Sequence, residues 1–234
     1  MMIIDGHVFL GKTIYMEQDL ETLITNMDRF GVGASVVVAP PPGPFYIDAN
    51  AYVREAVEEH PDKLVALYRA NPHLKGEADR FSEALERGFV GLQLDPTNDG
   101  YGVGSDIMDP LVKVAEEERV PVYIRSGDSI FCPPEAIVDY ATDFEEVNFV
   151  TNNSRRAYWA LKGCENVYLM SQPFPTLGFQ RGYAERFDIS KLVFVSDAPL
   201  GILDVEMKGV ELAGLDEDQR EKILGGNLER IINV

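Results

Sequence analysis

Histidine, cysteine and basic side chains are all scarce in this chain. It has three histidines, His7, His60 and His73, and two cysteines, Cys132 and Cys164. Lys and Arg number 21 against 39 Asp and Glu, a formal net charge of −18. That imbalance excludes a surface built to grip nucleic acid or an anionic membrane, both of which need clustered cations. The cysteines stand in separate segments with neither metal-like nor redox spacing, so two buried thiols in a reducing, cytoplasmic compartment are expected. No uninterrupted run of roughly 18 apolar residues is present to span a bilayer. The opening MMIIDGHVF lacks a basic n-region and carries Asp5 inside its apolar run, which argues against a signal peptide. The Gly-x-Ser-x-Gly elbow, the Walker A loop and the His-Glu-x-x-His helix are missing too.

What is present is rhythm. Hydrophobic residues make up 45% and charged residues 26% of the chain, which is ordinary for a globular protein. Short apolar runs recur at Ile3-Ile4, 34–39, 64–68, 90–94, 120–124, 147–151, 167–170 and 192–195. Several are β-branched and apolar on both faces, as parallel strands covered by helices require. Amphipathic helical patterns lie between them, at 18–30, 49–60, 77–87, 107–119, 134–144, 155–162 and 176–187. Two more follow the last run, at 205–213 and 217–232. Strict alternation of strand and helix means a parallel sheet with right-handed crossovers. Eight repeats, with Asp5-Gly6-His7 rather than a glycine-rich dinucleotide turn after the first strand, point to a closed (β/α)8 TIM barrel. No linker or composition shift divides residues 1–234, so one domain is expected. The longest irregular pieces, 40–47 and 96–106, both follow strands, where a barrel builds its active face.

Three segments carry a family resemblance: Ile4-Asp5-Gly6-His7 on the first strand, LVFVSDAP from Leu192 to Pro199 on the eighth, and Gly226-Asn227-Leu228-Glu229-Arg230 near the end. In order and spacing the chain resembles the amidohydrolase superfamily, in the branch that includes aminocarboxymuconate-semialdehyde decarboxylase. The resemblance implies a metal held by a His-x-His pair on strand one, a His on strand five, a His on strand six and an Asp on strand eight. The matching positions are His7 and Phe9, then Arg125, then Asn152 (or Asn153), then Asp197. Only the first His and the Asp are kept. His60, in Glu58-Glu59-His60-Pro61, reads as an exposed helix end. His7, His73 and Asp197 could still supply three ligands, but Arg125 would set a permanent cation among them. No metal and no other cofactor is therefore expected.

The candidate catalytic residues are His7, Arg125 and Asp197. A carboxylate buried without a partner is costly, and the guanidinium of Arg125 could take the metal's electrostatic place and fork onto Asp197. The same pair could serve only to preserve the fold. His7 is the expected proton carrier, since imidazole titrates near neutrality, or else a hydrogen-bonding strand end. His73, Gln93, Asp95, Asn152 and Arg155 are the candidate substrate-binding residues. Asn71, Asn153, Ser126 and Asp128 stand beside them, although Asn71-Pro72 and Asp95-Pro96 are also good turn openers. Arg125 and Arg155 suit an anionic small molecule. Phe9, Phe45, Tyr46, Tyr101, Phe131 and Phe174 are wall or core aromatics, and Cys132 has no obvious activating partner.

The function expected from these residues and the resemblance is hydrolysis of a small carboxylated ester, lactone or amide without metal, or a related decarboxylation. A non-catalytic barrel that binds a metabolite or a partner is the alternative, and a metal enzyme with atypical ligands is a third. A small anionic substrate, no nucleic acid, no membrane and a homodimer complete the expectations.

Overall fold

The computed structural model describes residues 2–41, 49–125, 130–153, 157, 160, 163–172 and 188–232. Phe45, Tyr46, Ser126, Asp128, Arg155, Phe174 and the expected helix over 176–187 lie outside them. The barrel strands are β1 (Ile3–Phe9), β2 (Val32–Val38), β3 (Leu64–Arg69), β4 (Phe89–Leu94), β5 (Val122–Ile124), β6 (Phe149–Thr151), β7 (Val167–Met170) and β8 (Leu192–Val193). They form one parallel sheet in that order, a nearly closed barrel flanked by helices. The helices are α1 (Leu20–Phe30), α2 (Ala49–Glu59), α3 (Glu77–Glu86), α4 (Pro96–Asp99), α5 (Asp109–Glu118), α6 (Pro134–Thr142), α7 (Leu203–Leu212) and α8 (Glu217–Glu221). The alternation in the sequence is thus the (β/α)8 barrel itself. Two compact units divide the chain: Met1–Ala66 with Met170–Val234, and Leu67–Leu169.

In the first unit β1 pairs in parallel with β2, Ile4 opposite Ala34 and Val8 opposite Val37, with an irregularity between Asp5 and Val8. On its other side Gly6 N–H donates to Phe194 O at 2.8 Å, which closes β1 onto the β8 segment. Glycine is needed there, because a Cβ on Gly6 would lie 2.7 Å from Val193 Cγ1 and 3.0 Å from Phe194 O. Helix α1 begins where the Asp19 carboxylate accepts from Thr22 N at 2.7 Å and ends at Gly31 with φ 70°. It buries Leu23 and Met27, one turn apart on one face. Each such burial contributes about 1.5–3 kcal/mol.

The pattern over 217–232 reads as one helix, and the structure breaks it into three. Helix α8, capped reciprocally by Asp216 and Gln219, gives way to a π turn over Lys222–Gly226 and a 3-10 turn over Leu228–Arg230. Two close contacts explain the break. Ile223 O is drawn out to accept from Phe194 N at 3.0 Å, and a Cβ on Gly225 would lie 2.6 Å from Met2 O. Asn227, fully buried, then donates its amide to Ile189 O at 2.7 Å and Leu192 O at 2.8 Å. The glycine–asparagine motif is a clamp on the start of β8.

In the second unit β4, β5, β6 and β7 run in parallel register, with Leu92 opposite Val122, Val122 opposite Phe149, and Phe149 opposite Val167. Tyr68 stacks on Phe81 at 5.8 Å and meets Phe89 edge-on at 5.6 Å, which packs α3 against its neighbouring strands. The stretch 96–106 is not irregular throughout. Asp95 caps α4 by accepting from Asn98 N at 3.3 Å, and Pro96 takes the first helical position. Among the described residues no helix is long and apolar enough to cross a membrane.

Candidate functional site

Two clusters of buried polar side chains emerge, one in each unit. The first is built on the closure of β1. His7, fully buried on that strand, has Nδ1 2.8 Å from Asp197 Oδ1, and Asp197 is only 4% exposed. His7 O accepts from Asp197 N at 3.1 Å, so backbone and side chain register the two residues together. Asp197 holds φ at 52°, a left-handed conformation that a non-glycine residue adopts at a cost of order 1–3 kcal/mol. The chain tightens around it. Asp197 O accepts from both Leu200 N and Gly201 N at 3.0 Å, and a Cβ on Gly201 would fall 2.0 Å from Ser196 O. This winding, rather than a free choice of rotamer, aims the carboxylate at the imidazole.

Asp5 supports the same segment from behind. Its Oδ1 accepts from Ser196 N at 2.7 Å and from His7 N at 3.5 Å. Burial outweighs these bonds and pushes its carboxyl up to about 7, with the nearby Asp197 charge adding to the rise. Asp5 was visible in the first-strand motif, but nothing in its spacing marked it as a buried acid.

Phe9 stands where the resemblance implies a second imidazole. Its ring meets His7 edge-on, with centroids 4.9 Å apart at 87°. A phenyl ring offers no lone pair to a cation, and it fills space beside His7. Among the described residues no group of three or more His, Cys, Asp or Glu side chains is placed to hold a metal ion. The donor set of the described residues does not fit the metal that the resemblance implies.

The second cluster lies where β3 and β4 end. Arg69 Nη2 is 2.8 Å from Asp99 Oδ1, both side chains 5% exposed. Burial raises the Asp99 carboxyl, with Arg69 opposing and Asp95 adding to the rise. Tyr101, 4% exposed, has its hydroxyl held well above its usual range by burial and by the charges of Asp99 and Asp95. His73 is exposed at the edge of this group, its ring 5.9 Å from that of Tyr101, and its N–H donates to Asn71 Oδ1 at 3.0 Å. Gln93 is buried, its Nε2 donating to Leu94 O at 3.4 Å while its Oε1 has no hydrogen-bond partner. Asp95 is buried as the cap of α4. Burial pushes the Cys132 thiol up to about 12, with Asp95 adding to it, which makes it a poor nucleophile.

His73, Gln93 and Asp95 therefore share one region with Arg69, Asp99 and Tyr101. Arg125 and Asn152 follow β5 and β6, each half-buried, and Arg125 N–H donates to Leu94 O at 3.0 Å. Arg125 and Asp197 belong to different units, and the fork expected between them stays a proposal. Arg155 lies outside the described residues. The sequence reading missed Arg69 and Asp99. Arg69 closes the apolar run LVALYR and Asp99 sits in the turn-like PTND, a pairing that only the fold makes.

Comparison with known proteins bears on the family. The 5-carboxyvanillate decarboxylase of Novosphingobium aromaticivorans, solved with manganese and 4-hydroxy-3-methoxy-5-nitrobenzoic acid, has a TM-score of 0.81 at 14% identity, over 100% of this chain and 96% of that one. A TIM-barrel protein from Bordetella bronchiseptica gives 0.82 at 20%, over 99% and 98%. The 2,6-dihydroxybenzoate decarboxylase from Rhizobium gives 0.76 at 14%, over 98% of each. No curated protein matches at a significant level. At such identities these structures are similar in fold alone. A family model described as amidohydrolase matches residues 15–234, nearly the whole length, and the chain belongs to the amidohydrolase family.

Proposed function

We propose that the protein is an enzyme that decarboxylates a small carboxylated organic acid, with the His7–Asp197 pair carrying the proton. The observation behind this reading is that pair: a buried imidazole 2.8 Å from a buried carboxylate, held by a left-handed backbone turn. In the reaction a proton passes from the pair to the carbon that bears the substrate carboxylate. That proton is taken by a π pair of the unsaturated substrate; the carbon–carbon bond then breaks, its electron pair restores the π system, and carbon dioxide leaves. One proton is taken up and nothing is oxidised or reduced. Asp197 holds the imidazole in orientation and balances its charge when protonated. Arg125 and Arg155 bind the carboxylate by the bidentate geometry that guanidinium favours. His73, Gln93, Asp95 and Asn152 contact the rest of the substrate through hydrogen bonds. The step is proposed without a metal, because Phe9, Arg125 and Asn152 stand at three of the positions where the resemblance implies histidines. A cytoplasmic homodimer completes the proposal.

Two solved neighbours are named as decarboxylases of carboxyvanillate and dihydroxybenzoate, which favours decarboxylation and an aromatic acid. Hydrolysis is the second reading, supported by the family match. There the same pair would take a proton from water, and Arg125 would face the developing oxyanion.

The test is a substrate panel of hydroxylated benzoates, aliphatic keto acids, lactones and esters, followed by carbon dioxide release and by proton NMR. Carbon dioxide release lost in Asp197→Asn supports the first reading. Turnover of esters or lactones alone moves the assignment to the second. No turnover of any member by a folded protein would overturn both in favour of a binding barrel.

A further inference from the structure

Five exposed apolar side chains of the first unit gather on two neighbouring segments. Ile14 and Tyr15 form the tip of the hairpin made by Gly11–Lys12 and Glu17–Gln18, and Tyr15 is 81% exposed. Leu200 and Ile202 follow the Asp197 turn, and Val205 lies in the first turn of α7. Each of these, like Ile14, is more than half exposed. The two segments flank one cleft, lined by Glu17 and Gln18 on the hairpin side and by Pro199, Gly201, Ile202 and Leu203 on the other. Single apolar residues scattered over a surface need no explanation, but a gathered set marks a contact site.

Charge sets this surface apart. The chain as a whole carries −18. The hairpin over 11–18 has one cation and one anion, Lys12 and Glu17, whose side chains meet at 2.6 Å. The stretch 198–205 has a single charge, Asp204, and the exposed Arg29 lines the same cleft. Lys12 and Arg29 thus balance Glu17 and Asp204. A basic partner would find stronger attraction elsewhere on so acidic a molecule, and an anionic membrane would be repelled by it. A second copy of the chain, itself acidic, can approach closely only through a face of this kind. Area agrees with that occupant. The five side chains together expose on the order of 500 Å², near the apolar share of the roughly 800 Å² that one partner of a stable dimer buries. We propose that this face joins two copies of the chain about a twofold axis, the hairpin tip of each packing on residues 200–205 of the other. A twofold contact needs one patch that complements itself, and a protruding tip beside an apolar-walled cleft meets that need. Tyr15 is its anchor, since aromatic side chains carry much of the energy of such contacts. The inference rests on the homodimer reading above and adds the surface through which the dimer forms.

Sedimentation equilibrium on the full chain tests this. The parent is expected to be dimeric at micromolar concentration, and added salt to strengthen the dimer by screening the repulsion between two acidic bodies. Tyr15→Ser and Ile202→Ser, both at exposed positions, are each expected to weaken association by about tenfold or more. Circular dichroism checks that each variant is folded, and should one fail, the other gives the same readout. Leu74→Ser, at an exposed apolar residue of the second unit, is the control and is expected to leave association unchanged. A chain still monomeric at about 100 μM would overturn both this surface and the homodimer. A dimer indifferent to Tyr15→Ser and Ile202→Ser would keep the homodimer and overturn the surface. So would a dimer weakened equally by Leu74→Ser, the signature of general stickiness, or one that salt dissociates, the mark of an interface held by ion pairs. None of these outcomes bears on which reaction the protein performs.

Discussion

Arg69 and Asp99 form a buried ion pair, Nη2 to Oδ1 at 2.8 Å, between the last residue of β3 and the last residue of the short helix α4. Removing one member leaves the other charged and desolvated, which costs roughly 3–5 kcal/mol, whereas removing both can be close to neutral. Arg69→Leu alone is therefore expected to lower stability sharply, and Arg69→Leu with Asp99→Leu to recover much of the loss. Denaturant titration of the two single variants and the double variant measures this. Additive losses would show that the pair is not coupled.

Asp197→Asn separates chemistry from fold. Asparagine tolerates the left-handed conformation that Asp197 adopts at φ 52°, so the turn is retained while the charge beside His7 is lost. The variant is expected to stay within about 1 kcal/mol of the parent in stability and to lose turnover by about 100-fold or more, the usual worth of a positioned acid–base group. Retained turnover would remove Asp197 from the proton path.

Asp5 predicts a pH dependence of stability. Its folded carboxyl lies at about 7 against an ordinary value of 3.8, so the folded state favours the protonated acid. The associated stability is complete below about pH 4 and is lost as pH rises through 7, on the order of 4 kcal/mol in all at 1.36 kcal/mol per unit. Asp5→Asn, which can still accept from Ser196 N, is expected to flatten that fall. A melting-temperature profile with the same slope in both proteins would remove Asp5 as its source.

The thiols should differ in reactivity. Cys132 is fully buried and held up to about 12, while Cys164 is half-buried. Iodoacetamide at pH 8 is expected to label Cys164 first and Cys132 only after denaturant is added. Peptide mapping that finds Cys132 labelled in the folded protein would contradict its assigned burial.

Chelation is expected to leave the protein unchanged. A phenyl ring beside His7 and the lack of any grouped set of three ligands among the described residues leave a divalent ion poorly held. Dialysis against EDTA should alter neither the melting temperature nor any turnover found. A fall in either, reversed by zinc or manganese, would restore the metal reading.

Much of the fold was legible because parallel strands in a barrel are buried on both faces and stand out as short apolar runs. Runs such as 34–39 and 90–94 lie on β2 and β4 with shifts of one or two residues. The stretch 217–232 misled for a physical reason: its periodicity is helical, but Phe194 N competes for Ile223 O. His7 and Asp197 were legible because motifs flank them. The Arg69–Asp99 pair was not, since a basic residue ending a strand and an acid in a turn become partners only when β3 and α4 are placed in space. Asp5 was hidden by its own motif, in which a buried acid and a turn acid look alike.

The bond from Ser196 N to Asp5 Oδ1 joins residues 191 positions apart, and the Asn227 clamp on β8 comes later still. Contacts so distant along the chain are slow to form, because loop closure must precede them. On a ribosome, strand β1 is made long before the segment that closes onto it. The geometry that sets Asp197 against His7 therefore cannot form until the β8 segment has been made, however early His7 itself is in place.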